Sequence, residues 1–142
     1  MASLGYQKNK ENMTFLSKIL FTKQRKAPMK LGDKRWLHRF NEIIEKHLKT
    51  VPLKNELLAE ELKISERQLS RKVKELSKLS PQKYLRKYRL HQAMKLLKTG
   101  KYRTVKETSF AVGFLKVSYF ISQFEKEFGK KPLKILQESG WR

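Results

Sequence analysis

The chain has 142 residues, the size of one or two small domains, and its 39% hydrophobic content suffices for small helical cores. With 34 Lys and Arg against 13 Asp and Glu, the formal net charge is +21, so the default partner is a polyanion, either nucleic acid or an acidic membrane surface. Cysteine is absent, which excludes disulfides, thiolate metal sites and cysteine nucleophiles, and no apolar run approaches the roughly 18 residues of a membrane span.

Residues 1–30 are rich in Lys, Asn and Gln around one weak apolar cluster: Phe15, Leu16, Ile19, Leu20 and Phe21. Two readings stand. The segment is either a basic, partly ordered tail or linker, or a short amphipathic helix that docks on the domain or adds phosphate contacts. The cluster is too short and polar for a signal-peptide core, so we expect a soluble intracellular protein that is cytoplasmic and nucleoid-associated.

Residues 31–52 hold a leading amphipathic helix, expected over about 33–49. Trp36, Leu37, Phe40, Ile43, Ile44, His47 and Leu48 recur at helical spacing, which places His47 on the packed face. Asp33 is a candidate cap and Pro52 a stop. His38 and Glu42, four apart, read as a surface pair, since no third ligand accompanies them.

Residues 53–80 form the first helix-turn-helix. Asn55 is expected to cap a helix carrying Leu58, Ala59 and Leu62, and a turn follows at Lys63–Ile64. Ser65-Glu66-Arg67-Gln68 then makes a capping box, S-x-x-Q, at the start of a helix with Leu69, Val73 and Leu76 inward. Pro81 opens the linker helix over 81–99, which Gly100 stops. Residues 100–142 form the second unit. Thr104-Val105-Lys106-Glu107 repeats the capping box, Gly113 ends its helix in a left-handed turn with Phe114 behind it, and Phe120, Phe124 and Phe128 follow at four-residue steps. Gly129 stops that helix and Pro132 starts a last one. Leu69, Val73 and Pro81 answer to Phe120, Phe124 and Pro132, each pair 51 positions apart. No segment alternates with period two for long enough to argue a strand. The reading is all-α: two helix-turn-helix subdomains, homeodomain-like three-helix units, joined by a long linker helix.

On the first unit's second helix, Arg67, Ser70, Arg71 and Lys74 fall opposite the apolar stripe. Short polar and Arg side chains on a capped helix suit the major groove, where Arg can pair with guanine O6 and N7. The matching downstream helix offers Lys116, Val117, Ser118, Ile121, Ser122 and Glu125, with no Arg. It either reads thymine methyls and polar base edges or mainly positions the protein, so the first unit is expected to carry more base specificity. Lys72, Lys74, Lys83, Arg86, Lys87, Lys116 and Lys126 are candidate phosphate contacts. Arg89 either ties the subdomains together or touches DNA.

Over 53–136 the sequence resembles the AraC/XylS-type DNA-binding domain of bacterial transcription regulators. The resemblance rests on Leu58-Ala59-Glu60-Glu61-Leu62, Ser65 with Leu69-Ser70-Arg71, Tyr84-Leu85, Arg89-Leu90 with Ala93 and Leu96-Leu97, Val112-Gly113-Phe114, Ser118-Tyr119-Phe120, Phe124 through Gly129, and Pro132. It implies two helix-turn-helix units that insert their second helices into successive major grooves of double-stranded DNA. By family position Arg67, Ser70 and Arg71 are first-module readers, while Lys116, Val117, Ser118 and Ser122 lie where the second module meets DNA. The family also implies RNA polymerase as a partner. A monomer can suffice for two grooves, and a dimer can form through a missing domain; the sequence leaves the oligomeric state open. Lys63 and Lys78 stand where the family often has Gly, Ser109 replaces a usual Ala, Thr108 a usual apolar residue, and Ser122 a frequent Arg. The Thr108 and Ser109 changes are expected to weaken the second core slightly. The leading helix with Trp36 and Phe40 resembles the segment ahead of this domain in the output modules of sensor-regulators.

Competing functions remain distinct in their signatures. Non-specific nucleic-acid compaction needs only the charge and would show a steep salt slope without sequence preference. A membrane-surface role would rest on Phe15 to Phe21 and nearby lysines. An enzyme is not expected: the sequence has no phosphate loop, zinc-protease pattern or nucleophile–base pairing, and no cofactor is implied. Related alkyl-transfer proteins need a reactive cysteine, which this chain lacks.

Overall fold

A computed structural model describes residues 29–140, which form seven helices and no strand. They are α1 (Leu31–Lys46), α2 (Asn55–Leu62), α3 (Glu66–Ser77), α4 (Pro81–Thr99), α5 (Val105–Ala111), α6 (Val117–Phe128) and α7 (Pro132–Glu138). The apolar cluster at Phe15 to Phe21 lies outside the described residues.

Two cores form along one helix. The first joins Leu37, Phe40 and Ile44 of α1, Leu58 of α2, Leu69 and Val73 of α3, and Tyr84 and Leu85 from the start of α4. The second takes Leu90, Ala93 and Leu97 from the remainder of α4 and packs them with Phe120 and Phe124 of α6 and Ile135 and Leu136 of α7. Leu48 packs against both. The linker helix is therefore buried on more than one face, and its 19 residues span about 28 Å at the helical rise. The leading helix is part of the first core rather than an appendage to it: Tyr84 donates to Asn41 Oδ1 at 2.6 Å and Tyr88 to Glu45 Oε2 at 2.7 Å.

The 51-residue repeat extends to element boundaries. Glu66 and Val117 start α3 and α6, Ser77 and Phe128 end them, and Pro81 and Pro132 start the helices that follow. The closing residues Lys78 and Gly129 are both left-handed, at φ 65° and 70°. Upstream the step is 50: Lys63 (φ 58°) answers to Gly113 (φ 93°), and the N–H groups of Ile64 and Phe114 close equivalent bonds to Ala59 and Ser109 carbonyls. The second turn is thus one residue longer than the first.

The structure departs from several local expectations. Asp33 does not cap α1; the helix starts at Leu31 without a side-chain cap and ends at Lys46, and Asp33 pairs instead with Lys72 of α3 at 2.7 Å. Asn55 is the first helical residue after Lys54, and its Oδ1 accepts from Gln82 Nε2. His47 is 19% exposed and bonded to Glu61 Oε1 at 3.1 Å, a partnered polar group at the rim of the core. The Ser65–Gln68 box is complete, whereas Thr104 supplies one half of its counterpart by accepting from the Glu107 N–H. Thr108 and Ser109 are fully buried, but their hydroxyls donate to the carbonyls of Thr104 and Lys106, which offsets the cost of placing polar groups there. His38 and Glu42 form an exposed pair at 2.9 Å.

A left-handed Lys costs about 1–2 kcal/mol in backbone strain, and Gly gives part of that back as unfolded-state entropy. Lys78→Gly, which copies Gly129 into the first module, is expected to raise stability by about 0.5–1 kcal/mol in a urea melt.

Candidate nucleic-acid interface

The α3 helix separates its two faces cleanly. Leu69, Val73 and Leu76 are buried, while Arg67, Ser70, Arg71 and Lys74 are exposed. Its start is fixed by Ser65 Oγ accepting from the Gln68 N–H at 3.1 Å and Gln68 Oε1 accepting from the Ser65 N–H at 2.9 Å. Gln68 Oε1 is therefore committed to the cap, and Arg67, Ser70 and Arg71 stand exposed on the first two turns together with Glu66.

On α6, Ser118 and Ser122 are exposed, Lys116 is exposed at the N-cap, and Val117 is half-buried. Ile121 packs against the second core, so it is less available to a thymine methyl than its sequence position suggests. Tyr119, absent from the sequence-derived site, is 45% exposed beside Phe114. Its aromatic neighbours supplied no sequence signal, because the apolar period of α6 is carried by Phe120 and Phe124.

The candidate phosphate contacts divide into two groups. Lys74, Lys83, Lys116 and Lys126 are exposed and Arg86 is half-buried. Lys72 and Lys87 are engaged by carboxylates: Lys72 with Asp33, and Lys87 with Glu127 at 3.3 Å. Glu127 also accepts from His91 Nε2 at 3.0 Å, and the His91 ring meets the edge of Phe128 at 4.9 Å between centroids. Each second helix is thus braced from behind by an ion pair to another helix. The partners lie 36 to 40 positions apart, beyond any helical period, so no local pattern announces them.

Arg89 lies between the modules. Its Nη2 donates to the carbonyl oxygens of Leu48 and Thr50 at 3.2 and 2.8 Å, and Gly113 of the second turn rests on its guanidinium. This places Arg89 at the joint, the first of the two roles open to it from sequence.

The chain's match to a family model described as a helix-turn-helix domain covers residues 58–138. The chain belongs to the AraC/XylS-type helix-turn-helix family. The HTH-type transcriptional activator RhaS of Escherichia fergusonii is 32% identical over 129 residues, covering 89% of this chain and 46% of that protein. The chain therefore spans about half the length of that curated relative. Among solved structures, the C-terminal domain of the two-component response regulator YesN from Fusobacterium nucleatum is 28% identical with a TM-score of 0.62, covering 72% of this chain and 98% of that one. A probable AraC family transcriptional regulator from Rhodopseudomonas palustris is 26% identical with a TM-score of 0.62, covering 74% and 97%. Among the described residues of this AraC-type chain, no helix is long and apolar enough to cross a membrane.

Two outcomes test the braces and the joint. A Cβ on Gly113 would overlap the Leu48 carbonyl and stand 2.9 Å from Arg89, at φ 93°. Gly113→Ala is expected to cost roughly 2–4 kcal/mol in a denaturant melt, through backbone strain and overpacking together. The hydrogen bond from His91, aided by Lys87 and opposed by burial, holds the Glu127 carboxyl below its ordinary value. The unfolded chain then takes up that proton first, so the contribution is present above the unfolded value of about 4.3 and is lost as pH falls through the lower folded value. Glu127→Gln should flatten the fall in Tm between about pH 5 and 3, with the neutral-pH Tm reduced.

Proposed function

We propose that this chain binds double-stranded DNA sequence-specifically as the DNA-binding part of a transcription regulator, placing α3 and α6 in successive major grooves. The observation that carries the reading is the exposed Arg67–Ser70–Arg71 face of α3, held on a capped, braced helix inside an AraC-type fold. Arg67 and Arg71 are the base readers, with Ser70 between them; a bidentate Arg–guanine contact is worth about 1–3 kcal/mol of discrimination. In the second module Lys116, Val117, Ser118 and Ser122 face the groove, and the lack of an Arg there makes its reading weaker. Lys74, Lys83, Arg86, Lys116 and Lys126 hold phosphates. Lys72 and Lys87, each tied to a carboxylate, position the recognition helices first and add to the field second.

The segments 53–80, 81–99 and 100–142 serve as reader, spacer and second reader, with Met29 and 31–52 completing the first core and the rest of 1–30 as a basic tail or linker. The role is binding rather than catalysis. RNA polymerase is the partner that transcription regulation requires, and the setting is the cytoplasmic nucleoid. One chain addresses two grooves, so dimerisation is not needed for bipartite contact.

Selection from a random duplex library at near-physiological salt should enrich two sequence blocks roughly one helical turn, 10–10.5 bp, apart. Arg71→Ala is expected to weaken the selected site by about 5- to 100-fold and random duplex far less. Equal losses on both would remove Arg71 as a base reader, and tight salt-sensitive binding without enrichment would place the chain among non-specific binders.

A further inference from the structure

The two modules leave a cleft of about 390 Å³ where α4 faces the turn before α6. That volume lies in the range of small-molecule sites. Three cations line it, Arg86 and Arg89 from α4 and Lys116 from the second module, and no acidic residue does. Arg89 is nine-tenths buried; its Nη2 is committed to two carbonyls, and its Nε is a buried donor without a hydrogen-bond partner. Burial alone works against its charge and pushes its pKa down. The remaining wall is largely apolar. Leu85 and Phe114 are buried, while Leu115 is 71% exposed.

We propose that this cleft is a binding site for a small organic anion, a carboxylate carried on an aromatic ring or short apolar chain. The carboxylate sits among Arg86, Arg89 and Lys116, and the apolar body covers Leu115 and the Tyr119 ring. A buried cation without an acidic partner is stabilised by an incoming anion, and that interaction is strengthened by the low local dielectric. A phosphate alone uses the cations and leaves the apolar wall bare. The chain's own segment 1–28 carries apolar residues, but its Lys and Arg are repelled by the same cations. The walls come from both modules, so occupancy is linked to their relative orientation. Arg86 and Lys116, assigned above to DNA phosphates, would be shared between the two ligands, and failure of the cleft reading would leave that of α3 untouched.

The test is a titration of the ¹⁵N-labelled full chain, followed by amide shifts, with 4-phenylbutyrate, uncharged 4-phenylbutanol and inorganic phosphate in turn. Phenylbutyrate should give saturable shifts at Val51, Gly113, Phe114 and Leu115, with phenylbutanol at least about tenfold weaker and phosphate not saturating. Arg89→Gln should weaken phenylbutyrate by at least about tenfold. Leu115→Glu, at an exposed position that leaves the cores intact, should do the same and keeps the test decisive if Arg89→Gln disturbs folding. Equal binding of phenylbutanol would reduce the cleft to an apolar groove. Equal binding of phosphate would make it a seat for the DNA backbone. Absence of saturable shifts, or unchanged binding in Leu115→Glu, would also overturn the proposal.

Discussion

Arg89 reaches out of the linker helix, lies under Gly113 of the second module and donates to the Leu48 and Thr50 carbonyls behind the first. A guanidinium taken out of water is costly unless its donors are used; here two carbonyls that belong to no helix ladder receive those of Nη2, and Nε is left unpaired. The arrangement admits only Gly at position 113, because backbone and guanidinium occupy the space of a Cβ. Two small cores strung on one helix would otherwise be free to swing about it. The Arg89 joint and Leu48, packed on both cores, tie the two modules together. Preorganisation of that kind lowers the ordering cost of a two-site contact.

The charge of +21 is less uniform in use than in sequence. Lys72 and Lys87 are held by Asp33 and Glu127, and those carboxylates couple α1 to α3 and α6 to α4. Exposed ion pairs contribute little to stability in isolation. These are partly buried and fix the roll of two helices whose outward faces carry the proposed chemistry. The exposed cations Lys74, Lys83, Lys116 and Lys126 contribute to a steering field.

The modules are copies in frame and unequal in content. A shared 51-residue step carries the second helix, its left-handed stop and the Pro-started helix after it, yet the turn ahead of α6 is one residue longer. Leu115 of that turn is exposed to solvent and lines the cleft against α4. The first module uses Lys at both left-handed stops and places Arg outward. The second uses Gly at both and shows Ser, Tyr and a half-buried Val.

The helices were legible from the chain because each of their causes is local. Apolar residues three and four apart, the Ser65–Gln68 box, Pro81 and Pro132 at first turns, and Gly100, Gly113 and Gly129 at stops all act within one turn of where they stand. The outward face of α3 follows from the same periodicity, so the exposure of Arg67, Ser70 and Arg71 is legible in the sequence. Asp33 shows where that legibility ends: its sequence position suits a cap, and only the approach of α3 makes it the partner of Lys72. His91 with Glu127, the role of Arg89 and the cleft beside it depend on groups 24 or more positions apart in sequence meeting across packed elements. Periodicity determines which face of a helix turns inward; which neighbour it meets there, and what is left unpaired between neighbours, was decided by the tertiary packing.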